Sequence, residues 1–266
     1  MQLTVSMVSA LFVATLLGQG PARPAKPAAA APPAPAKVER QVPFKAGEQL
    51  TYDISWSDYL TAASATVSVR EKRASFDSVA YYLVAEGQPA GFVAAIYSVY
   101  YKVDSLLDVY TLLPQRGSVF SQEARHRRMQ VTRFDQVQRK ATYEMTTATV
   151  YKRELRLPSP AHDPLSALYA LRTLPMKAGD TTTLAVVNDG MVHAVKVTVA
   201  GREPVDTPLG RQNAWKLTPQ ALDSRGEPAT DQVTIWISDD ARRLPLRIDA
   251  KLDVGVFRLV LREARY

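Results

Sequence analysis

The sequence predicts a mainly all-β protein. A large antiparallel meander would form an open or closed barrel-like curved sheet that carries one or two short amphipathic helices. From Val42 onward, apolar and polar residues alternate with period two in short runs, and turn residues interrupt these runs roughly every eight to twelve positions. Asn188-Asp189-Gly190 lies between two runs and indicates a β-hairpin, because its turn needs positive φ angles. The runs are too many for one small sandwich.

The first twenty residues form a predicted signal peptide or N-terminal anchor. Leu3 to Leu17 is an uncharged run of apolar and small residues, shorter than the ~20 residues that a membrane-spanning helix needs. The small-residue site Gly18-Gln19-Gly20 is followed by Pro21, which is unfavourable directly after a cleavage point. Cleavage near Ala28–Ala31 and retention as an uncleaved anchor are therefore the alternatives.

Residues 21–40 form a predicted disordered tether. Pro21 to Lys37 contains six Pro and eight Ala, a composition that favours extended polyproline II geometry and builds no core. Residues 41–266 follow as a single β-rich domain. An exported, cysteine-free domain behind such a tether indicates the bacterial periplasm. If the N-terminal segment is not cleaved, it tethers the domain to the inner membrane, and any membrane association is made through that segment only.

Within the domain we predict strands and two helices. Asp163 can cap a helix that runs to Arg172, because Pro164 occupies a first helical position where its missing N–H is harmless. The second helix spans Gly91 to Val99, although Tyr97 to Val103 could equally begin a strand. The predicted strands are Glu48–Ser55, Ala65–Arg70, Val79–Glu86, Met129–Phe134, Lys140–Thr147, Val150–Leu155, Thr181–Val187, Met191–Ala200, Val233–Ser238, Leu246–Leu252 and Phe257–Ala264.

The composition and motifs predict a protein that is not an enzyme and holds no metal or cofactor. The chain has no Cys, which excludes disulfides, thiolate metal sites and a cysteine nucleophile. It contains no Gly-x-Ser-x-Gly, phosphate-loop, His-Glu-x-x-His or dinucleotide motif. The three histidines, His126, His162 and His193, are not spaced with carboxylates as metal ligands.

The net charge of +7 is concentrated in the tether and in one local stretch, which argues against nucleic acid as a partner. Residues 121–156 hold nine basic and four acidic residues. Four arginines near a predicted turn could contact an anionic head group or an acidic partner: Arg125, Arg127, Arg128 and Arg133. The alternative is a solvated hairpin flank with Glu123 and Asp135 as local partners.

Several phrases resemble one family over about Val42 to Tyr266. They are Phe44-x-x-Gly47-Glu48-x-Leu50-x-Tyr52, Asp163-x-x-Ser166-x-x-Tyr169-x-x-Arg172, Thr207-Pro208-Leu209-Gly210, and Ile235-Trp236-Ile237-Ser238-Asp239-Asp240 with Arg243-x-Pro245. The chain resembles the exported bacterial domain-of-unknown-function family 3108. The resemblance implies a cell-envelope location and a β-rich fold, and it supplies no catalytic or binding residue.

Three functions follow as hypotheses. The first is a non-catalytic carrier in which the Asp163–Arg172 helix covers an apolar concavity that binds a lipid or another amphiphile. The second is an envelope interaction protein with a dry core and a protein or polysaccharide partner; a glycan hydrolase with paired carboxylates is a third. We expect Tyr169 to pack and Arg172 to form a surface pair. The candidate cavity residues are Phe92, Ile96, Leu165, Leu168, Tyr169 and Trp236.

Overall fold

A computed structural model describes residues 37–56, 60–90, 99–222, 226, 232–252 and 255–266. In these residues one helix, α1, spans Pro164–Thr173. The strands are β1 Gln49–Trp56, β2 Leu60–Ser75, β3 Ser78–Pro89, β4 Val99–Asp108, β5 Pro114–Glu123, β6 His126–Asp135, β7 Lys140–Thr146, β8 Val150–Arg156, β9 Ala161–His162, β10 Thr181–Asn188, β11 Met191–Thr207, β12 Gly210–Leu222, β13 Gln232–Ser238, β14 Pro245–Leu252 and β15 Gly255–Arg265.

All fifteen strands belong to one sheet, ordered β8-β7-β6-β5-β4-β3-β2-β1-β15-β14-β13-β12-β11-β10-β9. Each strand is antiparallel to its neighbours except β9, which runs parallel to β10. The first and last strands pair with each other in the middle of the sheet. The two edge strands, β8 and β9, are consecutive in the sequence, so residues 157–160 join the two edges of the sheet.

The sheet rolls up and overlaps itself. A four-residue connection spans at most about 15 Å, which forces the two edges close together. Ala185 and Val187 of β10 pack in one cluster with Ala141, Tyr143 and Leu155 from β7 and β8. Gly190, in the turn after β10, lies so close to the Tyr143 ring that a Cβ atom there would be 2.7 Å from it. The β9–β10 edge therefore packs against the β7–β8 edge, and side chains make this contact.

Side-chain amide groups satisfy the backbone of the short edge strand β9. Gln136, in the turn between β6 and β7, donates from its Nε2 to the Ala161 carbonyl at 2.8 Å. Its Oε1 accepts from the Ala161 N–H at 3.1 Å. A backbone bond of 2.8 Å from Leu157 N–H to the Arg139 carbonyl fixes the connection next to it. These bonds hold the two edges together without a continuous ladder.

The helix α1 lies inside the rolled sheet. Leu165 and Tyr169 pack into the largest core cluster, which includes Phe44 and Leu83. Leu171 packs into a separate cluster with Val197, formed on the concave side of β11 to β13. The predicted helix therefore packs between two core clusters of the sheet, and its role as the cover of a ligand cavity stays a prediction.

The predicted start of α1 is confirmed. Asp163 accepts hydrogen bonds from the backbone N–H groups of Leu165 and Ser166, both at 3.0 Å. The Ser166 hydroxyl accepts in turn from the Asp163 N–H at 3.0 Å, which completes a capping box. Ser105 of β4 donates to the same carboxylate at 2.6 Å and anchors the cap to the sheet.

The all-β meander is confirmed, and the sheet contains more strands than the alternation predicted. The hairpin at Asn188-Asp189-Gly190 is confirmed, with φ of 48° at Asp189 and 69° at Gly190. Strands β5, β9 and β12 were not predicted, and β4, which begins at Val99, agrees with the alternative of a strand beginning within Tyr97 to Val103. The predicted helix Gly91–Val99, apart from Val99, and the first 36 residues lie outside the described residues. Within the described residues, no helix is both long and apolar enough to cross a membrane.

Candidate functional site

A buried ion pair joins Glu48, the residue before β1, to Arg172 in the last turn of α1. Arg172 donates from Nη1 to Glu48 Oε1 at 2.6 Å and from Nη2 to Glu48 Oε2 at 2.8 Å. Both side chains have an exposed fraction of 0%. The sequence-based expectation that Arg172 forms a surface pair is therefore wrong, because α1 lies inside the sheet and its last turn faces the core.

Backbone carbonyl groups complete the shell around Arg172. Its Nε donates to the Arg243 carbonyl at 3.0 Å and its Nη2 to the Arg242 carbonyl at 3.1 Å. Burial alone would lower the pKa of Arg172, but the hydrogen bonds and charge of Glu48 outweigh it and raise that pKa. Four of the five N–H groups of a guanidinium are thus engaged within the protein, which leaves little capacity for a ligand.

Aromatic side chains enclose the pair. Tyr169 donates from its hydroxyl to Glu48 Oε1 at 3.4 Å, and its ring packs edge-on against Phe44 at 4.8 Å between centroids. Tyr52 donates to the Pro245 carbonyl at 2.9 Å. Burial, followed by the charge of Glu48, raises the pKa of Tyr169 well above its ordinary value, so the phenol stays a neutral donor. The expected packing of Tyr169 is confirmed.

An apolar cavity lies between α1 and strands β10 to β13. Its volume is about 250 Å³, and every described residue that lines it is apolar. Leu168 and Leu171 form the helix side, and Val186, Val195 and Ile235 contribute to the sheet side. A second cavity of about 270 Å³ adjoins it at the end of α1 and shares Leu171 and Val197 with it. We call the two volumes together the apolar groove.

The structure brings only part of the predicted cavity set to this groove. Leu168 lines it. Leu165 and Tyr169 lie in the main core, with exposed fractions of 6% and 0%, and do not line it. Phe92 and Ile96 lie outside the described residues. The role of these side chains as ligand contacts stays a prediction.

Trp236 is close to the groove in sequence but not in orientation. Successive side chains of a strand point to opposite faces, and Ile235 lines the groove. The Trp236 indole donates from Nε1 to Glu203 at 2.5 Å, and the Arg247 guanidinium lies 4.6 Å from its ring centroid. Trp236 is 6% exposed and packs in the main core cluster with Leu165 and Tyr169, so it belongs to the core and does not line the groove.

A wide cleft opens between the inner side of β4 to β6 and the β10–β11 turn. We call it the rim cleft; its volume is about 810 Å³. Its lining includes three of the four arginines that the sequence places near a turn: Arg125, Arg127 and Arg128. Arg133 does not line the cleft, because it lies five positions beyond Arg128 in β6, roughly 17 Å along the strand.

Both acidic residues of the rim cleft have partners. Asp189 Oδ1 accepts from Gln130 Nε2 at 2.6 Å and from Arg128 Nη2 at 3.1 Å. Glu123 accepts from the Tyr101 hydroxyl. That hydrogen bond, together with burial, raises the pKa of Tyr101, so the phenol acts as a donor. The predicted local pairing of the arginines with Glu123 and Asp135 is therefore replaced by a pairing of Arg128 with Asp189 from across the sheet.

The histidines are separated in the fold. His126 lines the rim cleft, His162 is buried in β9, and His193 lies half-buried in β11. Among the described ranges, no group of three or more His, Asp and Glu side chains is placed to hold a metal ion.

Comparison with known proteins identifies the family. The family model described as "Protein of unknown function (DUF3108)" matches residues 51–262. The chain belongs to this family. The four sequence phrases that suggested this DUF3108 assignment come from distant parts of the chain, and three of them supply the buried cluster of Glu48, Tyr52, Tyr169, Arg172 and the Arg243–Pro245 backbone.

A solved structure shares the fold of the DUF3108 chain. A beta-barrel-like protein of the domain of unknown function DUF1849 from Brucella abortus matches with a TM-score of 0.54 at 11% identity, covering 82% of this chain and 96% of that one. A protein with a YmcC-like fold from Bacteroides fragilis gives a TM-score of 0.33 at 11% identity, covering 86% and 100%, a score too low to support a structural conclusion. No curated protein matches the sequence.

Proposed function

We propose that this DUF3108 protein is a non-catalytic carrier that holds the apolar chain of an amphiphile in the apolar groove. The observation that supports the proposal is the groove itself: cavities of about 250 and 270 Å³ meet at Leu171 and Val197 and are lined mainly by apolar side chains. Together they fall within the size range of small-molecule sites, roughly 300–1,000 Å³. Apolar surface of this kind gains about 0.8 kcal/mol for each buried methylene group.

The polar residues at one end of the groove suit an amphiphile better than a pure hydrocarbon. Asp180, Thr181 and Thr182 border the cavity at the end of α1. A chain bound along the groove would place a polar end group next to these side chains. This arrangement of an apolar channel with a few polar groups at its mouth is typical of sites that fix the orientation of a ligand.

The alternative, a protein or polysaccharide partner bound at a sheet edge, finds less support. The edge strand β8 is mostly exposed, and four of its seven residues are charged: Lys152, Arg153, Glu154 and Arg156. Charged side chains on an edge strand disfavour the addition of another strand. The carrier proposal therefore accounts for more of the described surface.

We further propose export to the periplasm, with residues 21–40 as a tether. The uncharged run Leu3–Leu17 and the Pro/Ala composition after it support this location. The lack of recognised catalytic motifs in the sequence supports a binding role over an enzymatic one.

The test is native mass spectrometry of the full chain purified from its own envelope fraction, followed by titration of the delipidated protein with a fluorescent fatty acyl probe. We expect a reproducible lipid-sized adduct. Ala221→Trp fills the groove and should weaken probe binding at least about tenfold, since the added ring occupies the site.

Gln220→Trp is the matched control because its side chain points to the other face of β12. Probe binding by the two variants is compared once thermal unfolding has shown that they are equally stable. A clean protein mass together with an absence of probe uptake would refute the carrier proposal and direct the search to crosslinked partners.

A further inference from the structure

Two arginines of the rim cleft carry charge that the fold does not use. Arg125 and Arg127 line the cleft, and both are exposed. Neither forms an ion pair within the part of the chain that the structure describes, whereas Arg128 pairs with Asp189 at 3.1 Å. Surface arginines commonly find a carboxylate nearby, so two neighbouring guanidinium groups without one leave a local positive field.

The hairpin between β5 and β6 fixes the position of these arginines. Glu123 and His126 face each other as the last register pair, and only Ala124 and Arg125 form the turn. Ala124 has a φ of 52°, a left-handed conformation that makes this tight reversal. A short turn on a paired ladder restricts the backbone positions of Arg125 and Arg127, so both residues border the same end of the cleft.

The acidic side chains of the cleft neutralise its arginines only in part, because Glu123 and Asp189 supply two negative charges against the three positive charges of Arg125, Arg127 and Arg128. The Glu123 carboxylate accepts from Tyr101, and the Asp189 carboxylate accepts from Gln130 and Arg128. These bonds hold both carboxylates against the walls of the cleft. The space between the walls, about 810 Å³, is then bordered by free guanidinium donors and by hydroxyl and imidazole groups from Ser121 and His126.

We propose that the rim cleft is a second binding site, for a ligand that carries phosphoryl groups. A guanidinium presents paired N–H donors that match the oxygens of a phosphoryl group, and a phosphoryl dianion gains more than a carboxylate from two adjacent cations. The cleft is far larger than one phosphate, which fits a phosphoryl group attached to a larger body. Free phosphorylated compounds and phospholipid head groups share this chemistry.

The site is distinct from the apolar groove. The two cavities share no lining residue, and the β10–β11 turn that borders the rim cleft does not line the groove. Failure of one proposal therefore leaves the other standing, and each can be tested with a probe that the other site does not bind.

The test uses the full chain and two probes. Isothermal titration calorimetry measures inorganic pyrophosphate, and flotation measures binding to vesicles of phosphatidylcholine with about 30% phosphatidylglycerol. Arg125→Ala/Arg127→Ala should weaken binding of whichever probe the wild type binds by at least about tenfold, and added salt should weaken it further. Both side chains are exposed, so the double variant should fold normally.

Arg133→Ala is the matched control, an exposed arginine of the same strand outside the cleft, and should change affinity less than twofold. Pyrophosphate binding lost in the double variant supports a phosphoryl site for free ligands. Vesicle binding alone, lost in the same variant, assigns the site to lipid head groups. Binding of neither probe, or equal loss in Arg133→Ala and the double variant, would overturn the proposal. The acyl probe is titrated against the same samples and reports the groove separately.

Discussion

Glu48 and Arg172 show how a charged pair is stabilised inside an apolar core. Removing two charges from water costs several kcal/mol for each ion, and attraction offsets this cost only when the geometry is good and the remaining donors are satisfied. Here the contact is bidentate, and two backbone carbonyls accept the other N–H groups. The pair therefore joins the start of β1 to the end of α1 in one fixed arrangement.

Removal of one partner of this pair should destabilise the protein strongly. Arg172→Met leaves the Glu48 carboxylate buried without its cation, and we expect a loss of about 3–5 kcal/mol in the free energy of unfolding. Glu48→Leu/Arg172→Met removes both charges and should recover most of that loss. Urea denaturation with two spectroscopic probes measures both.

Arg242→Met provides the control for this comparison. It breaks the exposed pair between Arg242 and Asp240, whose side chains are 51% and 40% exposed, and should change stability by less than about 1 kcal/mol. An Arg172→Met variant as stable as Arg242→Met would contradict the account of the buried pair.

His162 is a buried imidazole whose Nδ1 has no hydrogen-bond partner among the described residues. Burial lowers its pKa from 6.5 to about 4. Below pH 6.5 the unfolded chain takes up a proton at this position, whereas the folded chain stays neutral until about pH 4. The unfolded state binds more protons in this window, so stability falls as the pH falls through it.

We expect His162 to make the wild type acid-sensitive by up to about 3 kcal/mol between pH 7 and pH 4. His162→Leu removes the titrating group and keeps an apolar side chain. The neighbouring Asp163, whose pKa is raised by burial, contributes to both proteins alike. Urea unfolding across this pH range should show the wild type losing stability relative to the variant, and a pH-independent difference would refute the prediction.

At the scale of elements, the placement of α1 depends on its first turn. Asp163 caps the helix and lies directly over Gly117 of β5, where a Cβ atom would be 3.0 Å from both Asp163 Cβ and Cγ. The glycine therefore permits the close approach of the helix cap to the strand. The sequence contained the cap but gave no indication of the strand on which it would lie.

Gly117→Ala should destabilise the protein by about 1–3 kcal/mol, because the new methyl group forces the cap away from β5. Gly87→Ala is the matched control: it is also a strand glycine, but its nearest heavy atom would be the Ser64 carbonyl oxygen at 3.9 Å, an ordinary contact. Thermal and urea unfolding compare the two. Equal stability of both variants would show that the Asp163 cap adjusts without cost.

Local chemistry explains which elements could be predicted. α1 was predictable because Asp163 satisfies the first amide groups within one turn and Pro164 has no N–H that needs a partner. Strand β5 was missed because its sequence PQRGSVFSQE contains Pro, Gly and Ser and alternates weakly. Its strand conformation comes from pairing with β4 and β6 on both sides, and such support from neighbours is absent from the sequence of the segment.

At the scale of the whole molecule, the order of the strands determines that the sheet encloses α1 and where the two sites lie. Because β1 pairs with β15 and the edges are β8 and β9, the chain can place α1 inside the roll directly after the overlap. The same overlap separates the interior into two regions. The apolar groove lies on the α1 side of β10, and the rim cleft lies on the side that faces β6.

The candidate sites could be predicted only in fragments. Of the predicted cavity residues that the structure describes, Leu168 lines the groove, whereas Leu165 and Tyr169 lie in the core. Three of the four grouped arginines border one cleft, because a tight turn keeps near neighbours together. The strands contribute Val195 and Ile235, among others, to the groove. In the sequence these residues could be recognised only as members of an alternating pattern. Either face of a strand can be concave, so alternation alone does not assign the lining.

The sequence by itself determined the β-rich class, the meander, the capped helix, the hairpin at Asn188–Gly190 and the family, since each depends on residues that are close in the chain or on short ordered phrases. The tertiary structure alone decided that Arg172 is buried, that Asp189 meets Arg128 and that α1 fills the roll. Arg128 and Asp189 are 61 positions apart in the chain, and Glu48 and Arg172 are 124 positions apart. Only the rolling of the sheet brings such distant residues together.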